Sequence, residues 1–211
     1  MSLQRRPYDA VKRGMDAVGS LVALVLLSPV IGVVALLVAS RLGRPVIFAQ
    51  PRPGLNGAVF TLLKFRSMRE VDEDRGLVTD EQRLTPFGRL LRASSADELP
   101  SLVNVLRGEM SFVGPRPLLV SYLERYTPEQ NRRHEVRPGI TGLAQVSGRN
   151  DVEWERRFEL DVQYVDQRSL RLDAWILART VRSVFAREGI AREGHATMPE
   201  FHRSADQGET A

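Results

Sequence analysis

The sequence predicts a helix-rich α+β fold, and three observations lead to this prediction. An uncharged run covers residues 17–40, two short strand-like segments follow it, and apolar residues at helical spacing dominate much of the rest. The chain has 211 residues, which suits one domain of ordinary size. We therefore divide it into an apolar helical segment with its flanks (1–44), a globular domain (45–187) and a polar, loosely ordered tail (188–211).

The uncharged run from Ala17 to Ser40 predicts a membrane segment. A straight helix of this length would reach about 36 Å, against a hydrocarbon core of about 30 Å. However, Ser28-Pro29 lies at its middle, where proline removes a backbone donor and the serine hydroxyl can satisfy the carbonyl left without a partner. A break there leaves halves of about 17 Å, which are too short to cross.

Basic residues flank this run on both sides. Arg5, Arg6, Lys12 and Arg13 precede it, and Arg41 and Arg44 follow it. Because Lys and Arg are retained on the cytoplasmic side, both ends favour the cytoplasm. The sequence therefore predicts a re-entrant, helix-break-helix hairpin that enters and leaves the cytoplasmic face of a membrane. A crossing helix and a signal peptide are the alternatives.

The globular part begins with a predicted β-hairpin. Val46–Gln50 and Ala58–Phe65 are typical of short strands, and the turn-rich segment Pro51–Gly57 joins them. The polar stretch Arg69–Arg83 is predicted to be a surface loop.

Two short helices are predicted next. Thr85-Pro86 opens the first, whose Leu90 and Leu91 are expected to face inward. The second carries apolar residues at helical spacing from Leu99 to Leu106 and ends at Gly108, so that Asp97 falls at its start.

Two longer helices are predicted near the end, over Val152–Val165 and Ala174–Arg187. The second is amphipathic, with an apolar stripe of Trp175, Leu177, Ala178, Val181, Val184 and Phe185. Nearby Arg179, Arg182 and Arg187 could meet lipid headgroups. The stripe faces either the protein core or the membrane interface, and the pattern alone fits both.

Composition narrows the chemistry without deciding it. The chain has 30 basic and 26 acidic residues, and only Lys12 and Lys64 are lysines. Arginine suits phosphate, nucleic acid and anionic membrane alike. There is no cysteine, and the histidines are His134, His195 and His202. Disulfides and thiolate metal sites are therefore excluded, and the scattered histidines disfavour a zinc enzyme. A hard cation held by carboxylates remains compatible with the sequence.

Asp97 and Glu98 are the candidate catalytic pair. Adjacent residues in a helix interior point about 100° apart, but at a helix start both can face the same anion-binding end. Asp97 could instead serve as an ordinary N-cap, and its position alone favours that interpretation.

Three basic or turn motifs accompany this pair. KFRSM puts Lys64 and Arg66 at alternate positions of a strand, and therefore on one face. GPRP holds Arg116 between two prolines, which limits the entropy lost on binding phosphate. RPGITG and SGRN are glycine-bearing turns that let backbone approach a ligand and present Arg149.

Taken together with Ser28-Pro29 and the segment from Trp154 to Leu177, these motifs resemble the bacterial sugar transferase family, the monotopic phosphoglycosyl transferases. The resemblance runs from about Tyr8 to Arg187, with all motifs in the family's order. It implies the family's minimal catalytic form, without the multispanning N-terminal region of larger members.

The resemblance implies a two-step transfer of a phosphosugar from a UDP-sugar to undecaprenyl phosphate, with release of UMP. Asp97 would be the nucleophile and a ligand of Mg²⁺, and Glu98 its partner in proton handling or positioning. Lys64, Arg66, Arg116 and Arg149 are the candidates for phosphate or nucleotide contacts. Membrane lipids are expected partners and nucleic acid is not, while a homodimer is left open.

Two other functions fit parts of the sequence. Asp72-Glu73-Asp74 has the D-x-D form of a metal site, as in a metal-dependent glycosyltransferase of another fold, although no hydrophobic strand adjoins it. A non-enzymatic, membrane-anchored domain that binds anions would explain the arginines and the apolar run. It would give no reason for Asp97-Glu98.

Overall fold

The computed structural model of the protein describes residues 7–74, 76–148, 153–186 and 201, and these ranges form the helix-rich α+β fold that was predicted. The helices are α1 (Pro7–Leu42), α2 (Asp80–Arg83), α3 (Pro86–Ala93), α4 (Ser101–Arg107), α5 (Pro128–Asn131), α6 (Leu143–Val146), α7 (Trp154–Gln167) and α8 (Leu170–Ala186). The strands are β1 (Ile47–Pro53), β2 (Val59–Phe65), β3 (Ser111–Val113) and β4 (Gly139–Thr141). Short 3-10 turns cover Leu55–Gly57, Ala96–Glu98, Val120–Tyr122 and Arg132–Glu135.

Helix α1 runs through Pro29 without interruption. Proline has no amide hydrogen to donate to the carbonyl of Val25, four residues earlier. The hydroxyl of Ser28 donates to that same carbonyl oxygen, at 2.8 Å. The carbonyl is thus satisfied inside an apolar segment, and the helix continues. The predicted helix-break-helix hairpin is therefore not confirmed, although the predicted use of the serine hydroxyl is.

Both ends of α1 pack on the globular domain, whereas its middle does not. The first half buries Asp16 and Ser20, and the second half buries Val38 against Phe65 and Leu91. Large apolar side chains between these contacts are exposed, namely Leu21, Val22, Val25, Leu26, Val30, Val33, Leu36 and Leu37. By length and composition, α1 could cross a membrane.

The polar base of α1 consists of Tyr8, Asp9, Lys12, Arg13 and Asp16. Each of these side chains has a partner in the globular domain. Asp9 accepts from Arg168 at 2.8 Å, and both Lys12 and Tyr8 bind Asp173. Arg13 donates to two carbonyls in the last turn of α4, where the helix dipole is negative. Asp16 accepts from the amide of Phe112 in β3 at 3.1 Å.

The predicted β-hairpin is confirmed. β1 and β2 pair antiparallel, with a register from Ile47 opposite Phe65 to Pro53 opposite Val59. β1 is longer than predicted, because Pro51 and Pro53 belong to the strand and not to the turn. Prolines are tolerated there because β1 is an edge strand.

Side chains of α4 cover the outer edge of β2. Asn104 accepts from the amide of Leu63 at 3.1 Å and donates to the carbonyl of Thr61 at 2.8 Å. Ser101 donates to the carbonyl of Leu63 at 2.7 Å. These bonds replace a third strand, so they fix α4 and the turn before it against β2. Gly108 ends α4 with a φ of 84°, as predicted.

A second, parallel sheet was not predicted. β3 pairs with β4 through Ser111 opposite Gly139 and Val113 opposite Thr141. A Cβ on Gly139 would lie 2.1 Å from the amide nitrogen of Gly114. The glycines of GPRP and RPGITG therefore allow these two motifs to pack on each other, whereas the sequence suggested approach to a ligand.

Three further predictions about local structure need comment. Leu91 is buried as expected, but Leu90 is 60% exposed, so the inward prediction for Leu90 is wrong. The predicted loop Arg69–Arg83 contains α2, because Thr79 and Gln82 form a capping box. In α8, Ile176 faces the core while Trp175, Leu177 and Val181 are exposed, so the apolar stripe lies on the outer face. Val184, Phe185 and Arg187 of that stripe and its basic rim lie outside the described side chains.

Candidate active site

The turn between α3 and α4 carries Asp97 and Glu98. Ser95 adopts a left-handed φ of 55°, and Ala96–Glu98 then forms one 3-10 turn. Pro100 is the residue that precedes α4 as its N-cap. Asp97 therefore lies before the helix without capping it, and the N-cap alternative is wrong.

Glu98 forms ion pairs with two of the basic residues that the sequence predicted to bind phosphate. Lys64 on β2 donates to Glu98 Oε1 at 2.6 Å, and Arg116 donates to the same oxygen at 3.1 Å. Burial alone would raise the pKa of Glu98, but the attraction of Lys64 and Arg116 outweighs it and lowers the pKa to about 2. Glu98 therefore stays ionised at neutral pH, which suits a residue that positions cations and does not suit a proton donor.

Asp97 has the opposite environment. It is 8% exposed, and within the described part of the chain no donor makes a hydrogen bond to its carboxylate. Burial and the adjacent negative charge of Glu98 raise the pKa of Asp97 to about 6, against the opposing effect of Lys64, Arg116 and Arg92. A carboxylate of this kind is mostly ionised at pH 7, and its lone pairs are available. A buried carboxylate without a donor is costly, and such groups cluster at functional sites.

Two arginines that the sequence did not single out also belong to this region. Arg92 on α3 donates to the hydroxyl of Ser67 at 2.9 Å, and its charge acts on Asp97. Arg52 on β1 donates to Gln50 at 2.6 Å, and burial together with the positive charge of Arg116 lowers its pKa to about 10. Both residues look like ordinary surface arginines in the sequence. Only the packing of α3 and β1 beside the turn brings them to the site.

Arg66, another of the predicted basic residues, is not brought to this turn. Arg66 donates to the carbonyl of Leu42 at the end of α1 and to Glu70, each at 2.9 Å. Its guanidinium thus holds the C-terminal end of α1, whereas Lys64 reaches Glu98. Arg149 lies outside the described residues. The D-x-D segment occupies an exposed turn, in which Asp72 pairs with Leu77 through backbone hydrogen bonds.

The donor groups of the turn fit a hard divalent cation. Mg²⁺ is usually held by one or two carboxylates, substrate phosphates and water. Asp97 offers a carboxylate to which none of the residues in the described ranges donates, whereas Glu98 is engaged by Lys64 and Arg116. Across the described ranges, no group of three or more His, Cys, Asp or Glu side chains could enclose a metal. Asp97 would therefore hold such an ion together with phosphate and water oxygens.

The same turn packs directly on the apolar helix. Ala96 and Leu99, on either side of the two carboxylates, join a cluster with Val38 of α1, Phe65 of β2 and Leu91 of α3. The carboxylate pair is thus placed next to the segment with the composition of a membrane helix. This proximity was not visible in the sequence, where the turn and Val38 are far apart.

Comparison with known proteins identifies the family. The model of the family described as "Bacterial sugar transferase" matches residues 7–187. The chain belongs to the bacterial sugar transferase family. This confirms the resemblance stated from the motifs and the prediction of a sugar-phosphate transferase.

Individual relatives agree with this assignment. The chain is 51% identical over 197 residues to the uncharacterized sugar transferase EpsL of Bacillus subtilis, covering 93% of this chain and 98% of that protein. It is 42% identical to a UDP-galactose-lipid carrier transferase of Erwinia amylovora, covering 89% of this chain and 43% of the relative. It is also 42% identical to the UDP-glucose:undecaprenyl-phosphate glucose-1-phosphate transferase of Caulobacter vibrioides, covering 86% and 72%. The chain thus spans less than half of the Erwinia protein but nearly all of EpsL.

Proposed function

We propose that this protein transfers a phosphosugar from a UDP-sugar to undecaprenyl phosphate through a covalent intermediate on Asp97, and releases UMP. One observation carries the proposal. The buried carboxylate of Asp97 has no hydrogen-bond donor among the described residues and lies among cations, in a turn whose neighbours pack on an apolar helix. The names of the Caulobacter and Erwinia relatives support the same donor and acceptor classes.

In the first step, a carboxylate oxygen of Asp97 attacks the β-phosphorus of the UDP-sugar. The bond from that phosphorus to the bridging oxygen breaks, and UMP leaves with the electron pair. With a pKa of about 6, Asp97 is mostly ionised at pH 7 and needs no base. Lys64 and Arg116, both bound to Glu98, stand beside it to neutralise phosphate charge.

In the second step, a phosphate oxygen of undecaprenyl phosphate attacks the same phosphorus. The Asp97–phosphorus bond breaks, which restores the carboxylate and forms a polyprenyl diphosphosugar. Two half-reactions allow the soluble donor and the lipid acceptor to use one site in turn. When bound at Asp97, Mg²⁺ would offset the repulsion between the carboxylates and the phosphates.

We further propose that α1 is held at the cytoplasmic face of the inner membrane and does not cross it. Its polar base and its last turns both contact the same globular domain. A helix that crossed the bilayer would place those two ends on opposite sides, about 30 Å apart. A tilt or bend at Pro29 is compatible with both contacts, since the bond from Ser28 compensates the missing donor.

The outer face of α8 is a second surface that we propose contacts the membrane, in addition to α1. Trp175, Leu177 and Val181 are exposed, and the guanidinium of Arg179 lies 5.6 Å from the ring centre of Trp175. An exposed apolar stripe with arginine beside it is typical of interfacial helices. Leu90 of α3, exposed next to the buried Leu91, fits the same role.

The nucleotide product tests the reaction. Purified protein is incubated with undecaprenyl phosphate in detergent, Mg²⁺ and each of UDP-glucose, UDP-galactose and UDP-N-acetylglucosamine, and the products are separated. We expect UMP from at least one donor, in equal amount to a lipid-linked diphosphosugar, and loss of both with EDTA. Release of UDP would support the D-x-D glycosyltransferase, and intact donors throughout would support a binding protein; either result overturns the proposal.

The absence of cysteine allows a direct test of topology. A single cysteine is introduced before Tyr8 in one variant and in place of the exposed Glu159 of α7 in a second, and intact spheroplasts are treated with a membrane-impermeant maleimide. We expect both to be protected until the cells are lysed. Labelling of the first position in intact spheroplasts would establish a crossing helix.

A further inference from the structure

An aromatic pocket on the globular domain binds a residue from the predicted tail. Phe201 is 5% exposed, although it lies in the segment that the sequence predicts to be loosely ordered. It packs in a cluster with four other aromatic residues, namely Tyr122, Tyr126, Trp154 and Phe158, at ring-centre distances between 4.9 and 6.1 Å.

The main chain of Phe201 is held as well as its ring. Its amide donates to the hydroxyl of Tyr122 at 3.0 Å, and its carbonyl accepts from Arg125 at 2.6 Å. Two main-chain bonds and a ring contact together specify one residue in one register. Apolar burial alone would not do so, because it is non-directional. Phe201 also lies beyond residue 187, where the match to the family model ends.

The pocket is connected to the candidate active site through one buried arginine. Arg133 donates to the hydroxyl of Tyr126 at 2.9 Å and to Asp161 at 2.7 Å, and its guanidinium lies over the rings of Tyr126 and Phe158. The same guanidinium donates to the backbone carbonyl of Arg116 at 2.7 Å. Two of the rings that Phe201 contacts, those of Tyr126 and Phe158, therefore also contact the guanidinium that binds the Arg116 carbonyl.

The segment around Arg116 depends on such contacts. Residues 115–119 belong to no helix or strand. Leu118, two residues after Arg116, is itself part of the aromatic cluster. Because no strand ladder fixes this segment, individual contacts hold it. The bond of Arg133 and the packing of Leu118 act together with the amide of Gly139, which donates to the carbonyl of Pro115 at 3.0 Å.

We propose that Phe201 is a positioning residue: seated in the aromatic pocket, it holds Tyr126 and Arg133, and through them Arg116, in the geometry that binds the donor diphosphate. This inference rests on the proposed function for the role of Arg116. The predicted tail thus contributes to donor binding through the docked Phe201.

A pair of truncations isolates Phe201. One variant ends after His202 and keeps the phenylalanine, and its matched control ends after Glu200 and lacks it. We expect the longer variant to match the full chain. The shorter one should show about a tenfold higher donor KM with kcat changed by about twofold or less, since displacement of a binding group weakens ground-state and transition-state contacts alike. Equal KM values for the two truncations would refute the proposal.

Point variants separate positioning from general damage to the fold. Phe201→Tyr keeps the ring and should retain the donor KM of the wild type, whereas Phe201→Ala should raise it about as much as the shorter truncation. In an Arg116→Ala background, Phe201→Ala should have little further effect on kcat/KM, because the group it positions is gone. Additive losses in this cycle would mean that Phe201 only stabilises the fold, and would overturn the proposal.

A spectroscopic signal reports docking independently of activity. The chain has two tryptophans, and Trp154 lies 5.6 Å from the ring of Phe201. In a Trp175→Phe background the remaining emission comes from Trp154, and it should shift to longer wavelength when Phe201 is removed. An unchanged spectrum would contradict docking. Failure of the proposed function looks different, since the full-length chain would then release no UMP from any donor, whatever the state of Phe201.

Discussion

The polar base of α1 and the turn that carries Asp97 are two charged regions that differ in how their charged side chains are paired. In the base, charged groups meet opposite charges or backbone partners, such as Asp9 with Arg168 and Asp16 with the amide of Phe112. In the turn, Glu98 accepts hydrogen bonds from Lys64 and Arg116, and Asp97 has no hydrogen-bond donor among the described residues. The comparison indicates that charged groups with hydrogen-bond or ion-pair partners stabilise the fold. A carboxylate that lacks such a donor indicates the reactive position.

The largest effect is expected from Asp97→Asn, which removes the reactive oxygen charge and keeps the shape. We expect turnover to fall by at least about a thousandfold, as is typical when a covalent nucleophile is lost. The measurement is UMP released per enzyme, with circular dichroism to show that the fold is retained. Turnover within tenfold of the wild type would remove Asp97 as the nucleophile.

A smaller loss is expected from Glu98→Gln. The substitution leaves Lys64 and Arg116 without their shared anion, so the cations are no longer held beside Asp97. We expect kcat/KM to fall about a hundredfold and stability to fall by about 2 to 4 kcal/mol, since removal of one member of a buried ion pair is costly. Denaturant unfolding and initial rates measure the two effects. An effect as large as that of Asp97→Asn would instead indicate that Glu98 touches the reacting atoms.

Ionised Asp97 should also lower the free energy of unfolding of the protein, in a pH-dependent way. The pKa of Asp97 is raised to about 6 from an ordinary value of 3.8, so the folded state binds its proton more tightly than the unfolded state does. Wild-type stability therefore declines, relative to Asp97→Asn, as the pH rises from about 4 to about 6. In metal-free buffer we expect Asp97→Asn to be more stable by about 2 to 3 kcal/mol above pH 7. The two proteins should melt together near pH 4, and a constant difference across this range would argue against the raised pKa.

The smallest catalytic effect is expected in the base of α1. Asp16→Ala removes the acceptor for the Phe112 amide and should cost about 1 to 3 kcal/mol of stability, with turnover at 25 °C within about threefold. Asp16→Asn keeps a carbonyl acceptor and is the matched control. Thermal unfolding and initial rates check the prediction. If Asp16→Ala lowered turnover as much as Glu98→Gln did, the base would be part of the catalytic machinery and the comparison would fail.

Local patterns in the sequence predicted the elements, but not how they meet. The hairpin, the end of α4 at Gly108 and the compensation at Ser28-Pro29 follow from residue types and short spacing. The continuous course of α1 through Pro29 could not be predicted from local patterns, because it depends on the bond from Ser28 to Val25 and on the packing of both helix ends.

The candidate site was predicted in part for the same reason. Asp97, Glu98, Lys64 and Arg116 stand in recognisable motifs, and the structure brings them together. Arg66 shares a motif with Lys64, yet its guanidinium lies at the end of α1, because β2 stops at Phe65 and the alternation of faces stops with it. Arg92 and Phe201 gave no local signal, since their importance comes only from long-range packing.

The most direct test of the central claim is the mass of the intact protein after incubation with its UDP-sugar and Mg²⁺ in the absence of undecaprenyl phosphate. We predict a covalent adduct equal in mass to one phosphosugar, located at Asp97 by peptide mapping and discharged when undecaprenyl phosphate is added. A protein that releases UMP on addition of the lipid, but never carries such an adduct even when the reaction is quenched within milliseconds, would contradict the account.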